Sequence, residues 1–227
     1  MSSIEDSKRA AARAALDELP EAGIIGLGTG STAKLFIDGV GELVAAGRKL
    51  VGVPTSEASR AQALALGIPL LSDDGPWDIA VAVDGADEVS PKLDLIKGGG
   101  AAHTREKIIN FSARRNIIIV DETKLTPALG TKWSVPIEVL SFAAGTTAAK
   151  LALHGKAVLR MDGDKPKRTD AGNLIFDLAC GAIADPQALD LALHAIPGVV
   201  ETGLFIGRAD VVLVARTSGV ERLVKSV

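Results

Sequence analysis

Three short segments of this chain place glycines, hydroxyls and charged groups where a phosphate and a proton-transfer reaction would need them. The first is Gly26-Leu27-Gly28-Thr29-Gly30-Ser31-Thr32. Glycines let the backbone curl, so that amide hydrogens at the start of a helix face an anion. Thr29, Ser31 and Thr32 add hydroxyls. Ser31 stands where the dinucleotide fingerprint has its third Gly, and no Lys precedes Ser31 or Thr32 as a P-loop would require, which disfavours a nicotinamide cofactor or ATP. A tight strand-to-helix turn capped by Ser31 or Thr32 explains the segment equally well.

The second segment, Asp84-Gly85-Ala86-Asp87-Glu88, follows the apolar run Ile79 to Val83 and sets three acids beyond the end of a buried strand. Crowded carboxylates shift one another's pKa and can divide acid and base roles. The plain alternative is a solvated turn, with Glu88 the most exposed of the three. Magnesium is conceivable here, but EF-hand spacing and an accompanying His are lacking.

The third, Lys97-Gly98-Gly99-Gly100-Ala101-Ala102, costs much conformational entropy to order. Either it is a flexible connector or something approaches its backbone closely, with Lys97 able to stabilise an oxyanion. Glu106 follows in Thr104-Arg105-Glu106-Lys107, at the start of a helix whose dipole favours a carboxylate, while apolar neighbours would oppose ionisation. His103, an ordinary loop residue in the bland reading, stands close enough in sequence to Glu106 to influence it. His154 and His194 fall at helix ends and read as dipole partners. Lys124, after the next strand, is a candidate contact for a sugar or its phosphate.

The elements that must carry these segments alternate. Helix Ile4–Leu19, strand Gly23–Gly28, a helix running to Ala46, strand Leu50–Val53, helix Ser56–Leu66, strand Ile79–Val83, helix Thr104–Arg115 and strand Asn116–Val120 imply a Rossmann-like parallel sheet with helices on both faces, with chemistry at the carboxyl ends of its strands. From Val135 the order becomes β-α-β-β-α-β, through Val135–Leu140, Thr146–His154, Lys156–Met161, Asn173–Ala179, Pro186–His194 and Val199–Phe205, which is the split ferredoxin-like unit. Asp162–Gly172 is then an exposed hairpin connection. Asp210–Ala215 reads as a strand and Val220–Val224 as a short helix. The expected domains are therefore 1–130 with 207–227, Rossmann-like, and 131–206, a small α+β domain.

With 227 residues, 47% of them hydrophobic, the chain can bury a full core. A net charge of -3 gives no broad positive field for nucleic acid. Cys180 is the single cysteine, so an intrachain disulfide or a Cys-based zinc site is excluded, and a reducing compartment follows. No apolar run is long enough to span a membrane, and the first residues mix charges with alanines, so a cytoplasmic location is expected.

Taken together, the glycine turn at Gly28–Thr32, the Asp84–Glu88 segment and the Lys97–Ala102 segment with Thr104–Lys107 resemble the signatures of A-type ribose-5-phosphate isomerases. The resemblance extends through Ala195–Val200 and Gly203–Phe205, nearly to the C-terminus. It implies a two-domain α/β enzyme, a homodimer or homotetramer, that interconverts ribose 5-phosphate and ribulose 5-phosphate in the pentose phosphate pathway with neither metal nor cofactor. Carried onto this sequence, the substrate contacts would be Thr29, Gly30, Ser31, Thr32, Asp84, Gly85, Ala86, Asp87, Lys97, Gly98, Gly99, Gly100 and Lys124. Glu106 matches the base. Lys97 and Asp84 would then hold the substrate oxygens while Asp87 assists ring opening, and the two aspartates can exchange these roles. The sequence departs from the family pattern at His103, where an apolar residue such as Leu is common. Two rivals remain: a sugar-phosphate sensing module, which would need an output domain, and an amino-sugar phosphate deaminase, which would release ammonia.

Overall fold

A computed structural model describes residues 4–225, so Met1–Ser3 and Ser226–Val227, the outer ends of the expected first domain, lie outside the described residues. The chain opens with the alanine-rich helix α1 (Ile4–Leu16) and continues through β1 (Ala22–Leu27), α2 (Ser31–Ala45), β2 (Lys49–Pro54), α3 (Glu57–Ala65) and β3 (Ile79–Asp84). Two short strands, β4 (Glu88–Val89) and β5 (Leu95–Ile96), precede α4 (His103–Ser112) and β6 (Asn116–Asp121), after which Glu122–Lys124 makes a 3-10 turn. Next come β7 (Val135–Val139), α5 (Ala144–Leu151), β8 (Lys156–Leu159), β9 (Met161–Asp162), β10 (Lys165–Pro166), β11 (Leu174–Ala179) and α6 (Pro186–His194). The chain ends with β12 (Val199–Thr202), β13 (Leu204–Phe205), β14 (Val211–Arg216) and β15 (Gly219–Val224). None of the described helices is long and apolar enough to cross a membrane.

These elements form two compact units. The first comprises the described residues up to Ala86, Arg105–Lys124 and those from Arg208 onward, the second Asp87–Thr104 and Leu125–Gly207. Residues 87–104, 125–130 and 207 thus group with the small-sheet unit, whereas the expected domain limits had placed them with the larger one.

The first unit is built on a sheet of order β15-β14-β6-β3-β1-β2, parallel throughout except for the edge pair β14–β15. Its central strand β6, Asn-Ile-Ile-Ile-Val-Asp, is buried along its whole length, as a strand covered on both faces must be. Ala11, Ala15, Phe36 and Val40 of α1 and α2 join Ile25, Leu27, Val83, Ile117 and Ile119 of the strands in one core. The helix expected at Val220–Val224 is instead part of β15, which pairs antiparallel with β14 from Val211↔Val224 to Arg216↔Gly219. A segment this short gains little from helix nucleation, whereas the edge of β14 offers it a complete ladder of backbone partners.

The second unit contains an antiparallel sheet of order β12-β7-β11-β8 with α5 and α6, the arrangement of a split β-α-β-β-α-β unit. Val135, Ile137, Val139, Leu151, Leu178 and Leu193 form its core. The strand expected over Val199–Phe205 breaks at Gly203 into β12 and β13, which enter different sheets. Gly203 lies so close to β7 that an added Cβ would stand 2.6 Å from Pro136 Cδ, and its amide donates to the Pro136 carbonyl at 2.7 Å.

Candidate active site

In the first unit, β1 and β3 are neighbours with Leu27 opposite Val83, so the turn after β1 and the acid after β3 emerge side by side at the carboxyl ends of the sheet. Asp84 is 8% exposed, and its Oδ1 accepts from the Thr29 amide at 2.9 Å and the Gly85 amide at 2.7 Å. Gly28 donates to the Val83 carbonyl at 3.0 Å. A Cβ at Gly28 would lie 2.6 Å from Asp84 Cα, so this glycine is required by close approach. The turn therefore holds the Asp84 carboxylate while β3 holds its backbone.

The Thr29 hydroxyl points into a cluster of hydroxyls, 2.6 Å from Thr55 Oγ1 and 2.8 Å from Ser56 Oγ. Ser59 closes the cluster by donating to the Gly28 carbonyl at 2.6 Å. With its amide on Asp84, Thr29 shapes the turn through both of its polar groups. Ser31 and Thr32 do not cap α2 as expected: the N-cap is Gly30, at φ 107°, with no side-chain cap bond. First-turn amides of a helix lack intrahelical acceptors, so this uncapped start retains donors for an anion. Gly30 and Ser31 are exposed there and Thr32 is half-buried.

Glu106, in the first turn of α4, is 3% exposed. It shares a cavity of about 10 Å³ with Gly28, Thr55, Asp84, Asn110 and Asn116, so Glu106 and Asp84 line one small recess of this unit. Gly85, Ala86 and Lys124 are half-buried, Lys124 in the 3-10 turn after β6. Thr55, Ser56 and Ser59 surround the Thr29 hydroxyl, and sequence reasoning passed over them. Their signal was the Thr-Ser pair directly after an apolar strand, where Ser56 also caps α3 by accepting from the Ser59 amide.

In the second unit, Asp87 accepts from the Gly99 amide at 2.8 Å, and a Cβ at Gly99 would stand 2.8 Å from Asp87 Oδ1. The three-glycine segment is a closed turn in which the Ala101 amide donates to the Gly98 carbonyl at 3.0 Å, and it is no loose connector. Gly99 and Gly100 are its exposed residues. Lys97 is 3% exposed, its ammonium 5.5 Å from the centre of the Phe205 ring. His103 is no ordinary loop residue: it begins α4, is fully buried, and packs so tightly on Gly98 that a Cβ there would lie 2.8 Å from its Nδ1.

Glu88, expected to be the exposed member of its segment, is fully buried. Its carboxylate accepts the amides of Gly130 at 2.6 Å, Trp133 at 2.8 Å and also Lys132, so it anchors a loop. Backbone donors replace the water that an acid would otherwise need. Among the described residues, the one grouping of side chains able to hold a metal ion is Asp190, His194 and Glu201, on α6 and β12. These already bond one another, His194 Nε2 lying 2.8 Å from Glu201 Oε1.

A buried carboxylate pair beside a glycine turn, at the carboxyl ends of parallel strands, defines an α/β enzyme acting on a small molecule. Residues 51–219 match the family described as ribose 5-phosphate isomerase A (phosphoriboisomerase A). The chain belongs to this family and is an isomerase. Ribose-5-phosphate isomerase A of Bradyrhizobium diazoefficiens is 46% identical, with 96% of this chain and 95% of the relative covered. Among solved structures, ribose 5-phosphate isomerase A of Methanocaldococcus jannaschii superposes with a TM-score of 0.93 at 40% identity, covering 98% of this chain and 100% of that one. A D-ribose-5-phosphate isomerase in complex with phospho-erythronic acid matches with a TM-score of 0.93 at 43% identity, covering 98% and 99%.

Proposed function

We propose that Glu106 is the single base of a one-carboxylate proton transfer that interconverts D-ribose 5-phosphate and D-ribulose 5-phosphate. Placement of this acid carries the reading: it is 3% exposed, in the first turn of a helix, in a recess shared with Asp84. A general base must be shielded from bulk water and held in reach of the carbon acid. Family membership supplies the substrate, and the phospho-erythronic acid bound by a relative, a phosphorylated sugar acid, supports a sugar-phosphate site here.

In the aldose-to-ketose direction, Glu106 takes the proton from C2. The C2–H electron pair forms the C1=C2 bond, and the C1 carbonyl oxygen becomes the enediolate oxyanion. Glu106 returns the proton to C1, the proton on O2 passes to O1, and C2 becomes the carbonyl. Substrate and product are isomers, so the cycle closes without a net redox partner. We assign Lys97 to the developing oxyanion, where a buried cation acts most strongly. Asp84 is assigned to the sugar hydroxyls, and Asp87 to moving a proton between O1 and the ring oxygen as the furanose opens. The uncapped amides at Gly30–Thr32 and the Lys124 ammonium are assigned to the phosphate.

Glu106→Gln tests the assignment. It keeps the shape and removes the base, so kcat should fall by about 10²–10⁴ with folding retained. In deuterium oxide the wild-type protein should form ketose carrying deuterium at C1, read by proton NMR. Near-wild-type turnover by Glu106→Gln would defeat the proposal. We also propose that two or four copies assemble, because Phe142 and Leu153, 89% and 77% exposed, leave large apolar surface uncovered in the second unit.

A further inference from the structure

We infer that Arg160 is a positioning residue of this enzyme, acting through the glycine turn on Asp87; the inference rests on the reading above, in which Asp87 handles ring opening. Nothing in the local sequence marks Arg160, which follows β8 in a stretch otherwise read as strand and exposed hairpin. Its side chain is 15% exposed and reaches inward. Nη1 donates to the Gly98 carbonyl at 2.7 Å and to the Gly99 carbonyl at 3.2 Å. Nε donates to Asp177 Oδ2 at 2.9 Å, and Nη2 donates to the other oxygen of Asp177. This fork-to-fork pairing fixes the guanidinium plane. The backbone is fixed as well, since the Arg160 amide donates to the Ile175 carbonyl at 2.8 Å and the Arg160 carbonyl accepts from Lys167 at 2.9 Å.

A trans peptide is planar, with its N–H opposed to its C=O. By holding the Gly98 carbonyl, Arg160 sets the plane whose N–H belongs to Gly99, and that N–H is the donor to Asp87 at 2.8 Å. By holding the Gly99 carbonyl at 3.2 Å, it also bears on the plane of the next peptide, whose N–H belongs to the exposed Gly100. Successive glycines have no side chains to restrict these plane orientations, so beyond the Ala101–Gly98 bond of the turn itself the guanidinium adds an external clamp on them. Arg160 touches neither base nor substrate in this scheme. It determines where Asp87 and one backbone donor stand, and Asp177 determines where Arg160 stands.

A double-mutant cycle separates this relay from general destabilisation. Arg160→Lys keeps the charge and loses the fork. In the otherwise wild-type enzyme it should lower kcat for ribose 5-phosphate about tenfold, a loss of the kind that follows misplacing a reacting group. In an Asp87→Asn background the same change should lower kcat less than about twofold, because the group it positions is already disabled. Asp177→Asn, which loosens the guanidinium while keeping its shape, should show the same pattern and serves if Arg160→Lys folds poorly. Equal losses in both backgrounds, or no loss in the wild-type one, would overturn the relay. A wild-type protein that fails to isomerise ribose 5-phosphate would instead overturn the parent reading.

Discussion

Replacing Gly28 by Ala tests the claim that the turn after β1 exists to seat Asp84. Gly28 is not in the left-handed region, so the added methyl raises a question of space alone. That methyl would stand 2.5 Å from Asp84 Cγ and 2.6 Å from Asp84 Cα. Carbon atoms prefer separations of about 3.5–4 Å, so the turn and the end of β3 must part by about 1 Å. One of the atoms in the way is backbone, and a rotamer change cannot clear it. Overpacking of this kind costs about 1–3 kcal/mol, which lowers Tm by roughly 2–12 °C in a chain of this size. The bond from the Thr29 amide to Asp84 is stretched by the same movement, and a 1 Å misplacement at a reacting centre costs about 10² in rate. Initial rates of ketose formation should therefore fall about 100-fold, far more than a slightly less stable but fully folded enzyme would show at 25 °C. Gly145→Ala is the control, since a methyl there meets nothing within 4 Å. If Gly28→Ala kept kcat within about twofold of wild type, the seating of Asp84 by this turn would not matter for the reaction, and the argument from close approach would be wrong.

Glu88→Ala should cost about 3 kcal/mol, read from the urea midpoint, because the amides of Gly130, Lys132 and Trp133 lose their common acceptor. Glu88→Gln keeps one acceptor oxygen and should cost less; equal, small effects of both would show that solvent can replace the carboxylate. Sedimentation velocity should give the mass of two or four chains, and a monomer at micromolar concentration would remove the proposed assembly.

The large sheet was legible because its strands are covered on both faces and so read as unbroken apolar runs, as β3 and β6 do. Glycines after such runs drew attention to Gly28 and to Asp84, which the structure sets against each other, since a close approach between neighbouring strands must be written as a missing side chain. What escaped reading depends on partners distant in sequence. Glu88 looked exposed because its three donors lie beyond residue 129, and no local pattern announces backbone amides from another loop. The hydroxyls of Ser56 and Ser59 looked like the start of α3, which they are, while their second use against Thr29, together with Thr55, follows only from β1 and β2 being neighbours. Val220–Val224 was misread because a short stretch of alternating and paired apolar residues suits either periodicity, and the exposed edge of β14 decided the matter. Arg160 is the limiting case. Its guanidinium acts on carbonyls of glycines, and carbonyls are common to every residue, so the sequence around either partner holds no sign of the other. Residues that act on side chains leave a chemical type to be recognised, whereas residues that act on backbone leave only geometry. The supporting parts of a site built from glycine turns are therefore the parts that only a structure can supply.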